Sequence, residues 1–121
     1  MINIALIGLG RIGQMHGENL ILHTDFRLKY VFDVDKKLKN KIAKKFASKS
    51  IDDPRVAFKD KEIDAIFIAS STSTHIGLIE EAVKYKKVIF CEKPLDLSID
   101  KINKCRKKIK NLKPKIQLGF N

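Results

Sequence analysis

The sequence predicts an α/β protein with a doubly wound parallel sheet of about six strands and helices on both faces of the sheet. First, its strand-like runs are apolar throughout, as in strands that are buried on both faces of a parallel sheet. Second, segments with helical periodicity separate these runs, and an alternation of strands and helices favours parallel pairing. Third, 121 residues are enough for one domain with its own core. We therefore expect a single domain over residues 1–121.

Six short apolar runs are expected to form the strands. Ile63–Ala69 (IDAIFIA) has the pattern of a fully buried strand, and Val88–Cys91 (VIFC) is apolar without interruption. In chain order the six are Ile2–Ile7, Arg27–Phe32, a short strand near Lys49–Ile51, Ile63–Ala69, Val88–Cys91 and Ile116–Phe120.

The helices are predicted from periodicity and from start signals. Leu38, Ile42 and Phe46 recur at every fourth position, which is typical of an amphipathic helix. The segment Asp52-Asp53-Pro54 indicates a helix start, because an aspartate caps the helix and proline fits its first turn. In chain order the helices are expected over Arg11–His23, Asp35–Ser48, from Asp52-Asp53-Pro54 onward, His75–Lys86 and Ser98–Leu112.

The positive charge raises the question of nucleic-acid binding. The chain has 25 basic and 14 acidic residues, a formal net charge of +11. Many of the lysines fall between the apolar positions of predicted helices, which indicates a solvated surface. In the second helix they are Lys36, Lys37, Lys39, Lys41, Lys44 and Lys45. The chain has no Trp, and no aromatic residues are interleaved with the lysines for base stacking. Nucleic-acid binding is therefore an alternative that rests on charge alone, and we do not expect it.

Cysteine usage and the N-terminus indicate the compartment. Cys91 and Cys105 form no CxxC pair and have no clustered His, so neither a disulfide framework nor a metal site is expected. The N-terminal segment has no basic region and runs directly into glycines, unlike a signal peptide. No apolar run approaches the length of a membrane span. We expect a soluble cytoplasmic domain with no membrane contact.

The segment Gly8-Leu9-Gly10-Arg11-Ile12-Gly13 follows the first strand and opens the first helix. A GxGxxG motif in this position predicts a dinucleotide site. The first glycine permits a tight turn, the second lets the backbone approach a pyrophosphate, and the third allows close packing of helix on strand. The phosphates would lie on the free N–H groups at the positive end of the helix.

An acidic residue is expected at the end of the second strand, and Asp33 provides it twenty positions after Gly13. A carboxylate there accepts hydrogen bonds from the ribose hydroxyls of NAD and repels the 2′-phosphate of NADP. We therefore expect NAD to be preferred over NADP. Asp35 is a near alternative, but it is better placed to cap the following helix.

The fourth strand runs into six small or polar residues, Ser70 to His75. Hydroxyl and N–H groups of Ser70, Ser71 and Thr72 suit the pyrophosphate and the nicotinamide ribose, and His75 is a further candidate. The alternative is a polar loop that only caps the helix beginning at His75. Two other histidines, His16 and His23, lie in the first helix without an expected partner, which favours a structural role.

Glu92, Lys93 and Pro94 follow the fifth strand directly, where a core strand reaches the predicted cofactor crevice. Hydride transfer between an alcohol and NAD needs a group that manages the hydroxyl proton and stabilises charge on the oxygen. The Lys93 amine can donate a hydrogen bond to that oxygen. Glu92 is expected to orient Lys93, and Pro94 to fix the backbone, with a cis bond as one option.

Taken together, the segments GLGRIG, FDVD, IFIASSTSTH, CEKPLDLS and QLGFN resemble the Gfo/Idh/MocA oxidoreductase family, and their spacing is most similar to its myo-inositol 2-dehydrogenase branch. The resemblance covers the whole chain and implies an NAD-binding Rossmann domain. It further implies that Lys93 is a catalytic lysine, that the bond to Pro94 is cis, and that Asn121 lies near the nicotinamide. One difference is Ser71, where many members carry proline.

The same resemblance implies a second domain that carries a proton-relay His, most substrate contacts and the usual oligomer interface. No such segment follows Asn121, so we expect either a fragment of a longer polypeptide or a short stand-alone product. The predicted function is the cofactor-binding half of an NAD-dependent dehydrogenase for a polyol or sugar alcohol. By itself it should bind NAD, turn over little, and possess exposed apolar surface that favours homo-oligomers. The alternative is a non-catalytic dinucleotide-binding or redox-sensing module, which has no need of Lys93.

Overall fold

A computed structural model describes residues 1–119 of the chain. Within them, six strands form one sheet, all of whose pairings are parallel, in the order β3-β2-β1-β4-β5-β6. This order confirms the predicted Rossmann-type, doubly wound sheet. The strands are β1 (Ile2–Ile7), β2 (Phe26–Phe32), β3 (Lys49–Ser50), β4 (Ala65–Ile68), β5 (Val88–Cys91) and β6 (Ile116–Leu118).

Five α-helices connect the strands of the described region. They are α1 (Arg11–Ile21), α2 (Lys36–Lys45), α3 (Pro54–Lys59), α4 (His75–Lys84) and α5 (Ile99–Ile109). Short 3₁₀ turns at Thr72–Thr74 and Lys110–Leu112 adjoin α4 and α5. Side chains cap three helices as the sequence predicted or allowed: Asp35 accepts from Leu38 N–H, Asp53 from Arg55 N–H, and Ser98 from Lys101 N–H.

Two apolar clusters place the helices on opposite faces of the sheet. On one face, Leu20 of α1 and Ile42 of α2 pack with Ile4 and Leu6 of β1. On the other face, buried residues of α3, α4 and α5 pack against the alternate positions of the strands, including Ile7 of β1. This alternation puts both faces of β1 in the core, which explains why its sequence is apolar throughout.

The structure corrects the expectation for Lys39. We predicted it on the solvated face of α2, but its side chain is only 4% exposed and its ammonium lies 2.6 Å from the carboxylate of Asp52. The aliphatic stem of a lysine covers apolar surface while its amine reaches a partner at the edge. The other predicted elements are present with ends moved by a few residues. The predictions for Asn121 and for the end of the last strand at Phe120 lie outside the described residues.

A polar cluster lies before the amino ends of β4 and β5. Asp60 accepts hydrogen bonds from the Lys29 amine and the Tyr30 hydroxyl, both at 2.7 Å. The buried Lys87 amine donates to the backbone carbonyls of Asp60 and Ile63. The hydrogen bonds from Lys29 and Tyr30 hold the pKa of Asp60 well below its usual range, and burial lowers the pKa of Lys87.

Within residues 1–119, none of the helices is both long enough and apolar enough to cross a membrane.

Candidate functional site

The predicted site residues meet at one edge of the sheet. Because the strands are parallel, the residues that follow their carboxyl ends share that edge. Gly8 follows β1, Asp33 follows β2, Ser70 lies just beyond β4, and Glu92 follows β5. The sequence therefore placed these residues on the correct side of the fold.

Steric fit explains two of the three motif glycines. Gly8 has φ +97°, and a Cβ there would collide with the backbone of Ala69 and Ser70. A Cβ on Gly13 would collide with the carbonyl oxygen of Gly8. Both positions therefore exclude a side chain, one to let two loops pack and the other to bring α1 against the strand.

Gly10 differs, because a Cβ there would meet nothing within 4 Å. It is exposed and precedes α1, whose N-terminus has no side-chain cap and no acidic residue in its first turn. Arg11 and Ile12 are exposed in that first turn. The N–H groups of a first turn have no partner within the helix, so this terminus is open to an anion.

The carboxylate of Asp33 is fixed by two backbone donors. One oxygen accepts from Leu9 N–H at 2.8 Å and the other from Asp35 N–H at 2.9 Å. Each carboxylate oxygen can accept more than one hydrogen bond, so both can still serve ribose hydroxyls. The side chain of Asp35 caps α2 instead, as expected.

A cavity of about 350 Å³ connects these parts. Its lining includes Gly8, Gly10, Asp33, Ser70, Ser71 and Thr74. The glycine loop and the uncapped helix end offer N–H donors, and the strand-end carboxylate beside them is an acceptor. A dinucleotide requires these donors for its pyrophosphate and this acceptor for its ribose. The residues present therefore fit NAD.

The loop after β4 forms its own hydrogen-bond chain. The Thr74 hydroxyl donates to the Ser71 carbonyl at 2.6 Å, and the Ser70 hydroxyl lies 2.7 Å from the Thr74 hydroxyl oxygen. Thr72 begins the 3₁₀ turn before α4. Ser71 is exposed and lines the cavity.

His75 is buried at the start of α4, with 1% of its surface exposed. Its Nδ1 lies 2.9 Å from the Pro94 carbonyl oxygen, and its Nε2 lies 3.0 Å from the Ser70 carbonyl oxygen. The ring therefore reaches neither the cavity nor solvent, and it joins the loops after β4 and β5. A direct contact between His75 and the cofactor stays a prediction.

Glu92 does not pair with Lys93, contrary to our expectation. Its carboxylate lies 2.8 Å from Nε2 of His16, which belongs to α1. His16 has a partner that its sequence neighbourhood does not reveal, because Glu92 is 76 positions away. The helical spacing of Gly13, His16, Gly17 and Leu20 was a usable signal, because residues at this spacing share the face of α1 that packs on the sheet.

The Lys93–Pro94 peptide bond is cis, as the family resemblance implied. Lys93 is exposed beside this bond. In the part of the chain that the structure describes, its amine has no hydrogen bond or ion pair, so it is available to a group from outside. Next to this segment, burial raises the pKa of the Cys91 thiol to about 12, which makes a reactive thiolate unfavourable.

Comparison with known proteins decides the family. Residues 2–120 match the Gfo/Idh/MocA family, described as an oxidoreductase family with an NAD-binding Rossmann fold. The chain belongs to this family. Across 98% of its length it is 37% identical to myo-inositol 2-dehydrogenase of Thermotoga maritima.

Solved structures of Gfo/Idh/MocA relatives have the same fold. A myo-inositol dehydrogenase from Corynebacterium glutamicum superposes on 98% of the chain with a TM-score of 0.92 and 35% identity. A scyllo-inositol dehydrogenase from Lactobacillus casei, solved with bound NAD(H) and scyllo-inositol, superposes with a TM-score of 0.89 and 30% identity. The chain spans about 36% of the length of these relatives and corresponds to the NAD-binding Rossmann domain of the family.

Proposed function

We propose that the chain is the cofactor-binding half of a dehydrogenase that transfers a hydride between NAD and an inositol-like polyol or sugar alcohol. The observation that carries this proposal is the Asp33 carboxylate, fixed by two backbone N–H groups beside a cavity that also contains the glycine loop. Relatives of the chain are inositol dehydrogenases, and one was solved with scyllo-inositol bound, which supports the substrate class.

Each part of the site has a chemical task in this proposal. The first turn of α1 and the loop from Ser70 to Thr72 bind the pyrophosphate, and Asp33 accepts from the ribose hydroxyls and disfavours a 2′-phosphate. A nicotinamide bound at this site would supply the hydride acceptor. The Lys93 ammonium donates a hydrogen bond to the substrate oxygen and stabilises its negative charge as the proton leaves. Asn121 stays a candidate neighbour of the nicotinamide.

The complete reaction needs groups outside these residues. In this proposal residues 1–121 form one domain of a cytoplasmic enzyme, and a second domain contributes the proton acceptor, most substrate contacts and an oligomer interface. Two free, buried cysteines are compatible with a reducing compartment. Replacing Lys93 by Gln should leave NAD affinity nearly unchanged and abolish turnover in a chain that has both domains.

The cofactor assignment is tested by calorimetric titration of the chain with NAD and NADP. Asp33→Asn removes the charge and keeps one oxygen, which can still accept from one of the two backbone donors. It should weaken NAD binding and lower the NAD-to-NADP affinity ratio by about tenfold, since a hydrogen bond to a charged group contributes about 1.5–3 kcal/mol. The matched control is Asp35→Asn, which removes a charge two positions away and still caps α2.

Two results would count against this assignment. An unchanged NAD-to-NADP ratio in a folded Asp33→Asn chain would mean that Asp33 does not recognise the ribose. No binding of either nucleotide at millimolar concentration by the unmodified chain would remove support for nucleotide binding itself.

A further inference from the structure

Lys93 has no side-chain partner within residues 1–119, so its position depends on the residues on either side of it. Glu92 and Pro94 are both held by histidines that belong to helices. The two helices lie on opposite faces of the sheet, α1 with one apolar cluster and α4 with the other. The segment that carries Lys93 is thus fixed from both faces.

On the first face, His16 holds Glu92 through the 2.8 Å contact between Nε2 and the carboxylate. The edge of the His16 ring packs against Phe67 and Phe90, with centroids 6.0 and 5.2 Å away, and the two phenyl rings stack on each other at 4.8 Å. Both side chains are largely buried, with 17% of His16 and 20% of Glu92 exposed. Packing against these two rings leaves the imidazole little freedom to turn away from Glu92.

The backbone and the neighbouring strand restrict Glu92 further. Its N–H donates to the Ile68 carbonyl at 2.8 Å. A Cβ on Gly119 would lie 3.0 Å from one carboxylate oxygen and 3.1 Å from the other, so the glycine leaves just enough room for the side chain. The carboxylate therefore has one well-defined place, and His16 is its hydrogen-bond partner there.

On the second face, His75 holds Pro94. Both ring nitrogens face carbonyl oxygens, Nδ1 that of Pro94 and Nε2 that of Ser70. A neutral imidazole has one N–H and donates to one of the two carbonyls, whereas a protonated ring donates to both. Because the residue is buried, no water competes for these contacts.

We propose that His16 and His75 form a histidine bracket, a pair of positioning residues that hold Lys93 by fixing the residues before and after it. The inference rests on the proposed function, in which Lys93 polarises the substrate oxygen. Beyond the proposed function, the inference is that α1 and α4, whose N-terminal regions face the proposed dinucleotide site, also control the position of the Lys93 amine. A displacement of about 1 Å in such a group is enough to lower catalysis strongly.

The histidine bracket can be tested with matched amide substitutions. The side-chain nitrogen of Asn reproduces the position of Nδ1, and that of Gln reproduces the position of Nε2. His75→Asn therefore keeps the Pro94 contact, and His75→Gln keeps only the Ser70 contact. At His16 the pattern reverses, because Nε2 is the atom in use: His16→Gln keeps the Glu92 contact and His16→Asn loses it.

The readout is the NMR order parameter of the Lys93 amide in each variant, with calorimetric NAD affinity measured on the same samples. We expect a value near 0.85 in the unmodified chain, His75→Asn and His16→Gln, and a value below about 0.6 in His75→Gln and His16→Asn. A residue that only stabilises the fold would not produce this crossed pattern. Thermal unfolding checks that each variant is folded. If a His75 variant is not, the pair at the partly exposed His16 still tests the bracket, because equal order parameters for His16→Gln and His16→Asn would overturn it.

The outcomes separate the bracket from the cofactor assignment. Equal order parameters for Asn and Gln at both positions, with NAD still bound, would overturn the histidine bracket alone. A crossed pattern at only one histidine would overturn the two-sided bracket. Loss of NAD binding by the unmodified chain would instead contradict the proposed function, while the order parameters would still report on the bracket.

Discussion

The carboxylate of Asp33 accepts a hydrogen bond from the backbone N–H of Leu9 at 2.8 Å, which joins the end of β2 to the glycine loop after β1. One residue therefore both recognises the ribose in our proposal and shapes the loop that would receive the pyrophosphate. An Asp33→Ala change would remove an acceptor from the loop as well as a charge from the cavity. For this reason the asparagine variant is the more informative test of cofactor choice.

The glycine loop should separate binding from stability. Gly10→Ala places a methyl group in open space, so the midpoint of thermal unfolding should stay within a few degrees of that of the unmodified chain. The same methyl group would occupy the proposed pyrophosphate region, so calorimetry should show a large loss of NAD affinity. Gly13→Ala should instead lower the unfolding midpoint, because its Cβ collides with the Gly8 carbonyl. Equal effects of the two variants on both measurements would contradict this assignment.

Two other helical glycines should respond in opposite directions. Gly77 of α4 is exposed and a Cβ there meets nothing within 4 Å, so Gly77→Ala should raise the free energy of unfolding by about 0.5–1 kcal/mol. A Cβ on Gly17 of α1 would collide with the ring of Phe46, so Gly17→Ala should be destabilising. Denaturant titration measures both, and a stabilising Gly17→Ala would show that Phe46 can move aside.

Asp60 should make the fold sensitive to acid. Hydrogen bonds from Lys29 and Tyr30 lower its pKa in the folded state, so its contribution to stability is present above the ordinary pKa of aspartate, about 3.9. That contribution is lost as the pH falls below this value towards the lowered pKa. Asp60→Asn should reduce the free energy of unfolding at pH 7 by about 1–3 kcal/mol and flatten its fall between pH 5 and acid conditions.

The control for Asp60 is Asp25→Asn, since the side chain of Asp25 is 77% exposed. Denaturant titrations at a series of pH values should give nearly parallel curves for Asp25→Asn and the unmodified chain. A curve for Asp60→Asn that also runs parallel would mean that the Lys29 and Tyr30 contacts contribute no pH dependence.

Both cysteines should resist alkylation in the folded chain. Burial raises the pKa of Cys91 to about 12, and burial together with Glu80 raises that of Cys105. At pH 8 little thiolate is present and neither sulfur is accessible, so iodoacetamide should react with both only after unfolding in denaturant. Mass spectrometry of Cys91→Ser and Cys105→Ser chains assigns each site. Rapid labelling of Cys91 without denaturant would indicate that the β5–β6 edge opens readily.

Local patterns were sufficient to predict most of the fold, and contacts between distant residues account for what they missed. Apolar runs and start signals predicted the six strands and an aspartate cap before Pro54, because these depend on neighbours within a few positions. The burial of Lys39 depends on Asp52, which lies 13 positions away beyond β3, and the role of His16 depends on Glu92, which follows β5. Such pairings appear only once the chain is folded.

The polar cluster around Asp60 and the candidate site lie at opposite edges of the sheet, one before the amino ends of β4 and β5 and the other at the carboxyl ends of the strands. Substitutions that alter cofactor or alcohol selectivity can therefore accumulate at one edge without removing the stability that the Asp60 cluster contributes at the other. In evolution or in protein engineering, the chain can therefore tolerate moderately destabilising substitutions at the candidate site, because the Asp60 cluster continues to stabilise the fold.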